Sequence, residues 1–135
     1  MKTIRWILGQ IILVLDFLTS PKPPVREAAA QKNLDDATAT MSMYQFKACP
    51  FCVKVRRELK RNALHMELRD AKNNAEHKAE LVREGGRHKV PCLRIEKPDG
   101  AVEWLYQSND IIAYLKELVT AVEATTLKNI NKSVA

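Results

Sequence analysis

Two cysteines separated by two residues, Cys49-Pro50-Phe51-Cys52, are the side chains of this 135-residue chain most able to do chemistry. Residues three apart lie within one helical turn, so thiols at this spacing can meet and close a disulfide. Attack on a disulfide needs a thiolate, and the open N–H groups that begin a helix favour negative charge. A division of labour follows. Cys49 attacks and forms a mixed disulfide; Cys52, deeper in the helix, resolves it. Lys47 and Arg56 are near enough in sequence to add favourable charge. A C-x-x-C pair can also be half of a zinc site, but zinc needs a second pair or a spaced His pair. His65, His77 and His88 lack that spacing. Three cysteines are also too few, and odd in number, for a disulfide-stapled scaffold. The third, Cys92, reads as a small buried hydrophobe, with a regulatory thiol beside the site as the alternative.

The elements that must hold this pair follow from pattern. Met43-Tyr44-Gln45-Phe46 reads as a short strand and Lys47-Ala48-Cys49 as the turn out of it. Pro50 then opens a helix to about Asn62, because the first helical position needs no N–H. Cys52, Val55 and Leu59 share its inward face, while Lys54, Arg57, Lys60 and Arg61 lie outward. His65 to Arg69 reads as a second strand, and a helix from Ala75 to Glu84 stops at Gly85-Gly86. Val90-Pro91 leads into a third strand, Cys92 to Glu96. The turn Pro98-Asp99-Gly100 joins it in a hairpin to a fourth, Ala101 to Tyr106. Ser108 caps a last helix from Asp110 to about Val122, with Ile111, Ile112, Tyr114, Leu115 and Leu118 at helical spacing. The order β-α-β-α-β-β-α predicts an α/β domain over residues 42–122, a mixed four-stranded sheet with helices on both faces. Residues 123–135 read as a flexible tail.

Residues 1–20 are expected to form a separate, membrane-associated helix. Ile4 to Leu18 is apolar, but its run of about 15 residues is short of the ~20 a span needs. Lys2, Arg5, Gly9 and Asp16 fall within about 60° on a helical wheel. That stripe predicts a helix in the membrane surface, its polar line toward water and its Ile/Leu face in lipid, with a short tilted span as the alternative. A cleaved signal peptide fits poorly, because the small triplet Ala28-Ala29-Ala30 lies beyond three prolines and Arg26. Residues 21–41, opened by Pro21, Pro23 and Pro24, read as a linker.

The formal charge of +6 points to anionic partners: a small molecule, a lipid surface or nucleic acid. Only 6% of residues are aromatic and no aromatic-basic motif is present, which sets nucleic acid aside.

Residues 43–122, about 80 of the 135, resemble a glutaredoxin, a thioredoxin-like fold, and also resemble the N-terminal domain of glutathione S-transferases. Three segments carry the likeness: Tyr44-Gln45-Phe46-Lys47-Ala48-Cys49-Pro50-Phe51-Cys52, then Val90-Pro91, then Gln107-Ser108-Asn109 with Ile111, Tyr114 and Leu115. The resemblance implies a glutathione-dependent thiol–disulfide oxidoreductase that acts on disulfides or on protein–glutathione mixed disulfides, with glutathione as co-substrate and no metal. Cys49 would be the glutathionylated nucleophile and Cys52 its partner. Phe51 stands where the family usually has Tyr. Pro91 would be a cis-proline, Val90 would offer its backbone to the cysteinyl part of glutathione, and Gln107 and Ser108 would hold the γ-glutamyl carboxylate. Asn109 or Asp110 would assist. Lys47 is the candidate for the glycyl carboxylate, although the family's basic residue usually sits further from the first cysteine. Rival readings are a membrane-tethered module that binds glutathione or an iron–sulfur cluster without turnover, and a glutathione S-transferase-like protein. The cluster reading has Pro50 and Cys52 against it; the transferase reading lacks room for a second helical domain after Val122. A glutathione system implies a domain facing the cytoplasm, at a bacterial-type inner membrane.

Overall fold

The computed structural model describes residues 2–134, so Met1 and Ala135, the outermost residues of the expected N-terminal helix and tail, lie outside the described residues. The elements run α1 (Lys2–Leu18), α2 (Ala28–Thr38), β1 (Met41–Gln45), α3 (Pro50–Arg61), β2 (Glu67–Asp70), α4 (Ala75–Glu80) with a π-helical turn (Leu81–Gly85), β3 (Cys92–Glu96), β4 (Val102–Leu105) and α5 (Ser108–Val134).

Strand β1 is buried on both sides, so it must lie inside the sheet. It pairs in parallel with β2 and antiparallel with β3, and β3 pairs antiparallel with β4, giving the order β2-β1-β3-β4. Successive residues alternate between the two faces. On one face Met41, Met43, Leu93 and Ile95 meet Val55 and Leu59 of α3 and Ile111, Leu115 and Val119 of α5. On the other, Tyr44 and Cys92 pack with Ala71 and with Leu81 of the π-helical turn. The Tyr44 hydroxyl and the Arg69 guanidinium both donate to the Glu80 carboxylate, which ties α4 to that face. This is the expected mixed α/β, thioredoxin-like sheet with helices on both sides.

Residues 21–41, expected as a linker, instead hold α2, which packs along α5. Leu34 is fully buried in the main core, and the Thr38 hydroxyl donates to the Leu34 and His65 carbonyls at 3.0 and 2.8 Å. One leucine among alanines and polar residues shows no periodic apolar face, yet it suffices when small neighbours allow close approach. The stretch expected as a tail is likewise a continuation of α5. Thr126 is buried and its hydroxyl accepts from Asn33 at 2.9 Å, while Arg26 pairs with Glu123 at 3.2 Å. Those contacts are polar, which is why apolar spacing gave no sign of them.

The polar stripe of α1, expected to face water, meets protein instead. Gly9 is buried, and a β-carbon there would lie 3.1 Å from the Ala48 methyl. Asp16 accepts from Arg57 at 3.1 Å, Arg57 also donates to the Thr19 hydroxyl and carbonyl, and Lys60 reaches Ser20. The Gly9–Asp16 stripe therefore faces α3, because a glycine lets two backbones approach and the aspartate finds a cation there; the Ile/Leu face is left outward. Among the described residues no helix is long and apolar enough to cross a membrane, which removes the tilted span.

Candidate functional site

Cys49 is the N-cap of α3, in extended conformation (φ −72°, ψ 126°), with Pro50 opening the helix. Its N–H donates to the Phe46 carbonyl at 3.2 Å and its carbonyl accepts from Val53 at 2.9 Å, so the backbone on both sides of the sulfur is fixed. The Cys49 side chain makes no capping hydrogen bond and is half-buried. Cys52, one turn on, is fully buried, and all three cysteines are free thiols. Burial pushes the Cys52 thiol up to about 12; the nearby Phe46 backbone amide opposes this, while the neighbouring Cys49 thiol reinforces it. One thiol is thus presented and its partner is kept neutral beneath it. Arg56 clamps the loop between β1 and α3, donating to the Gln45 side chain and to the Lys47 carbonyl at 2.7 Å each. The Lys47 side chain itself is exposed.

The strand register gathers the remaining candidates. Tyr44 lies opposite Cys92, and Leu93 opposite Leu105. The chain leaving β1 toward Cys49, the chain entering β3 through Val90 and Pro91, and the chain leaving β4 toward Gln107 therefore share one end of the sheet. The Val90–Pro91 bond is cis, with Pro91 buried and Val90 packed on the second core. Ser108 begins α5 half-buried, and Gln107 is exposed beside it. Lys54 of α3 donates to Asn109 at 2.6 Å, joining the first turn of α5 to the dithiol helix. Phe51, 60% exposed, stands at the rim. Lys47, Cys49, Phe51, Cys52, Val90, Pro91, Gln107 and Ser108 thus converge on the same end of the fold.

Three features escaped sequence reasoning. Arg87, His88 and Lys89 run directly into Val90, making that approach basic; the His88 ring lies 5.6 Å from Phe46, and Arg87 stacks on Tyr106 at 5.6 Å. Three successive basic residues before Val-Pro were the available signal. The Tyr106 hydroxyl donates to the Arg87 carbonyl at 3.4 Å and lies near the Cys92 thiol, which burial pushes up to about 12, as burial also raises Tyr106 itself. Finally, Ala48, next to Cys49, is the residue on which α1 rests. A lone glycine among bulky residues was the trace of that close approach. Among the described residues, no group of three or more His, Cys, Asp or Glu could hold a metal ion.

Residues 41–97, which include the dithiol and Val90-Pro91, match the glutaredoxin family model. No curated protein matches the chain. Solved structures similar to it include oxidized glutaredoxin 2 from Chlamydomonas reinhardtii, 25% identical over 72% of this chain and 96% of that one, with a TM-score of 0.46. Glutaredoxin from Brucella melitensis is 21% identical over 60% of this chain and 83% of that one, with a TM-score of 0.41.

Proposed function

We propose that the chain is a glutaredoxin-type oxidoreductase that uses glutathione to reduce disulfides and protein–glutathione mixed disulfides. The observation that carries this reading is the asymmetry of the dithiol: a partly exposed Cys49 at a helix N-cap over a fully buried Cys52. The family match over residues 41–97 supports it. In the first step the Cys49 thiolate attacks the glutathione sulfur of a mixed disulfide. A Cys49–glutathione bond forms, the protein–glutathione bond breaks, and the protein leaves as a thiolate that takes a proton. A second glutathione thiolate then attacks the Cys49-bound glutathione, which releases glutathione disulfide and restores Cys49. With a protein disulfide, Cys52 gives up its proton and attacks Cys49 instead, so the dithiol is oxidised as the substrate is reduced. Two glutathiones then return it to the dithiol.

In this reading Val90 presents its backbone N–H and C=O to the cysteinyl part of glutathione, beside Pro91. Gln107 and Ser108 receive the γ-glutamyl carboxylate at the N-terminus of α5, where helix N–H groups favour an anion. Phe51 covers the tripeptide at the rim, and Lys47, Arg87 and Lys89 supply positive charge for the glycyl carboxylate. A site fed by reduced glutathione belongs to a domain on the cytoplasmic side.

The test is reduction of a small glutathione mixed disulfide by the full chain, followed through glutathione reductase and NADPH. Cys49→Ser should lower the rate at least 100-fold, while Cys52→Ser keeps turnover of glutathione mixed disulfides but loses that of protein disulfides. Unchanged turnover in Cys49→Ser would falsify the proposal.

A further inference from the structure

The outward side of α1 is a continuous apolar surface. On a wheel of about 100° per residue, Ile4, Ile7, Ile11, Val14, Leu15 and Leu18 fall within about 100° and point directly away from Gly9 and Asp16. Each is at least 45% exposed. Together they leave on the order of 600 Å² of aliphatic surface in water, at the upper end for an ordinary soluble monomer. Trp6 and Phe17 on one flank and Leu8 on the other widen the face to roughly 200°, interrupted only by Thr3 and Gln10.

We propose that this face lies in the surface of an anionic bilayer, with the helix parallel to the membrane and the domain clamped to its other side. The width of the face selects the occupant. One helix of a second copy covers a stripe of about 100°, which would leave Trp6, Phe17 and Leu8 wet; a bilayer surface covers the whole half-cylinder. Length fixes the orientation. Seventeen residues span about 25 Å, less than the ~30 Å of a hydrocarbon core. The Gly9–Ala48 and Asp16–Arg57 contacts also hold one side of the helix against protein along its length. Charge fixes the lipid. Lys22 is exposed just beyond the helix, and the chain carries +6.

The experiment is co-sedimentation of the full chain with vesicles of phosphatidylcholine, with and without about a quarter phosphatidylserine. The wild type binds the anionic vesicles, and Ile11→Glu, like the double variant Ile7→Glu/Val14→Glu, lowers the bound fraction tenfold or more. Because these side chains are exposed, the far-UV circular dichroism and the thiol reactivity of both variants stay at wild-type values. Raising the salt concentration weakens binding to the anionic vesicles only. The proposal is overturned if the wild type does not bind, if Ile11→Glu binds as well as the wild type, or if the helix resists an alkaline carbonate wash as a span would. It is equally overturned if light scattering finds a dimer that Ile11→Glu dissociates while neither protein binds lipid, for then a second copy covers the face.

Discussion

Replacing Cys49 by serine leaves Cys52 as the surviving thiol of the pair, and its reactivity follows from its burial. With a thiol pushed up to about 12, the thiolate fraction at pH 7.5 is on the order of 10⁻⁴·⁵, against about 10⁻¹ for an ordinary cysteine near 8.5. The more basic thiolate is the better nucleophile, and a Brønsted coefficient of about 0.45 returns roughly 1.5 of the ~3.5 logarithmic units. The net expectation is attack about 100-fold slower than by free glutathione, before any steric shielding. Substituting Cys49 removes the smaller contributions that its thiol makes; desolvation, the largest cause, stays. The assay is release of a coloured thiolate from an aromatic disulfide reagent by Cys49→Ser/Cys92→Ala at pH 7.5. The rate should stay low and rise with pH up to about 10 without levelling. A rate within threefold of glutathione would mean that burial does not hold Cys52 protonated, and the assignment of attacking and resolving roles would fail.

Alkaline pH should destabilise the fold. Unfolded Cys52 and Cys92 lose their protons near 8.5 while the folded thiols keep theirs to about 12, so unfolding releases protons. Stability is complete below about pH 8 and falls above it by at most about 1.4 kcal/mol per pH unit per thiol. Urea titrations of the reduced protein between pH 8 and 10 measure that slope, and Cys92→Ala should about halve it. Leu34→Ala, which opens a cavity where α2 meets the core, should cost about 2–5 kcal/mol in the same titration. A loss under about 0.5 kcal/mol would mean that α2 is not part of the core. Gly85→Ala brings a methyl against the Tyr106 hydroxyl and within 3.0 Å of the Trp104 ring, and should cost about 1–3 kcal/mol, read as a lower melting temperature.

What was legible in the sequence was local. Pro50 after Cys49 marks a helix start because proline lacks the N–H that the first turn leaves unused, and the structure puts Cys49 at the N-cap. Pro98-Asp99-Gly100 set the hairpin, where Gly100 takes φ 88°. The aromatics of Met43-Tyr44-Gln45-Phe46 before a turn marked a first strand, which the structure runs over Met41–Gln45. Contacts made at long range by small or polar groups were not legible. Leu34 has no large apolar neighbour at helical spacing, and Thr126 joins Asn33 through a hydroxyl. Reading amphipathicity assigned the polar side of α1 to water by default, but Gly9 and Asp16 had a second body to meet: Ala48 and Arg57. The basic approach to Val90-Pro91 was present as Arg87-His88-Lys89 and takes on meaning only when the register places it at the end of the sheet where the thiols lie.

The pairs Asn33–Thr126 and Arg26–Glu123 fasten α2 and the segment before it to the later turns of α5 like a buckle. A fragment starting at Met41 would strip Leu34 from the core and leave Val119 and Thr126 facing solvent; one stopping at Val122 would take away the residues that Asn33 and Arg26 hold. Expression limits drawn around the sheet alone would therefore yield a sticky, weakened product, and detergent or lipid added to rescue it would address the wrong surface.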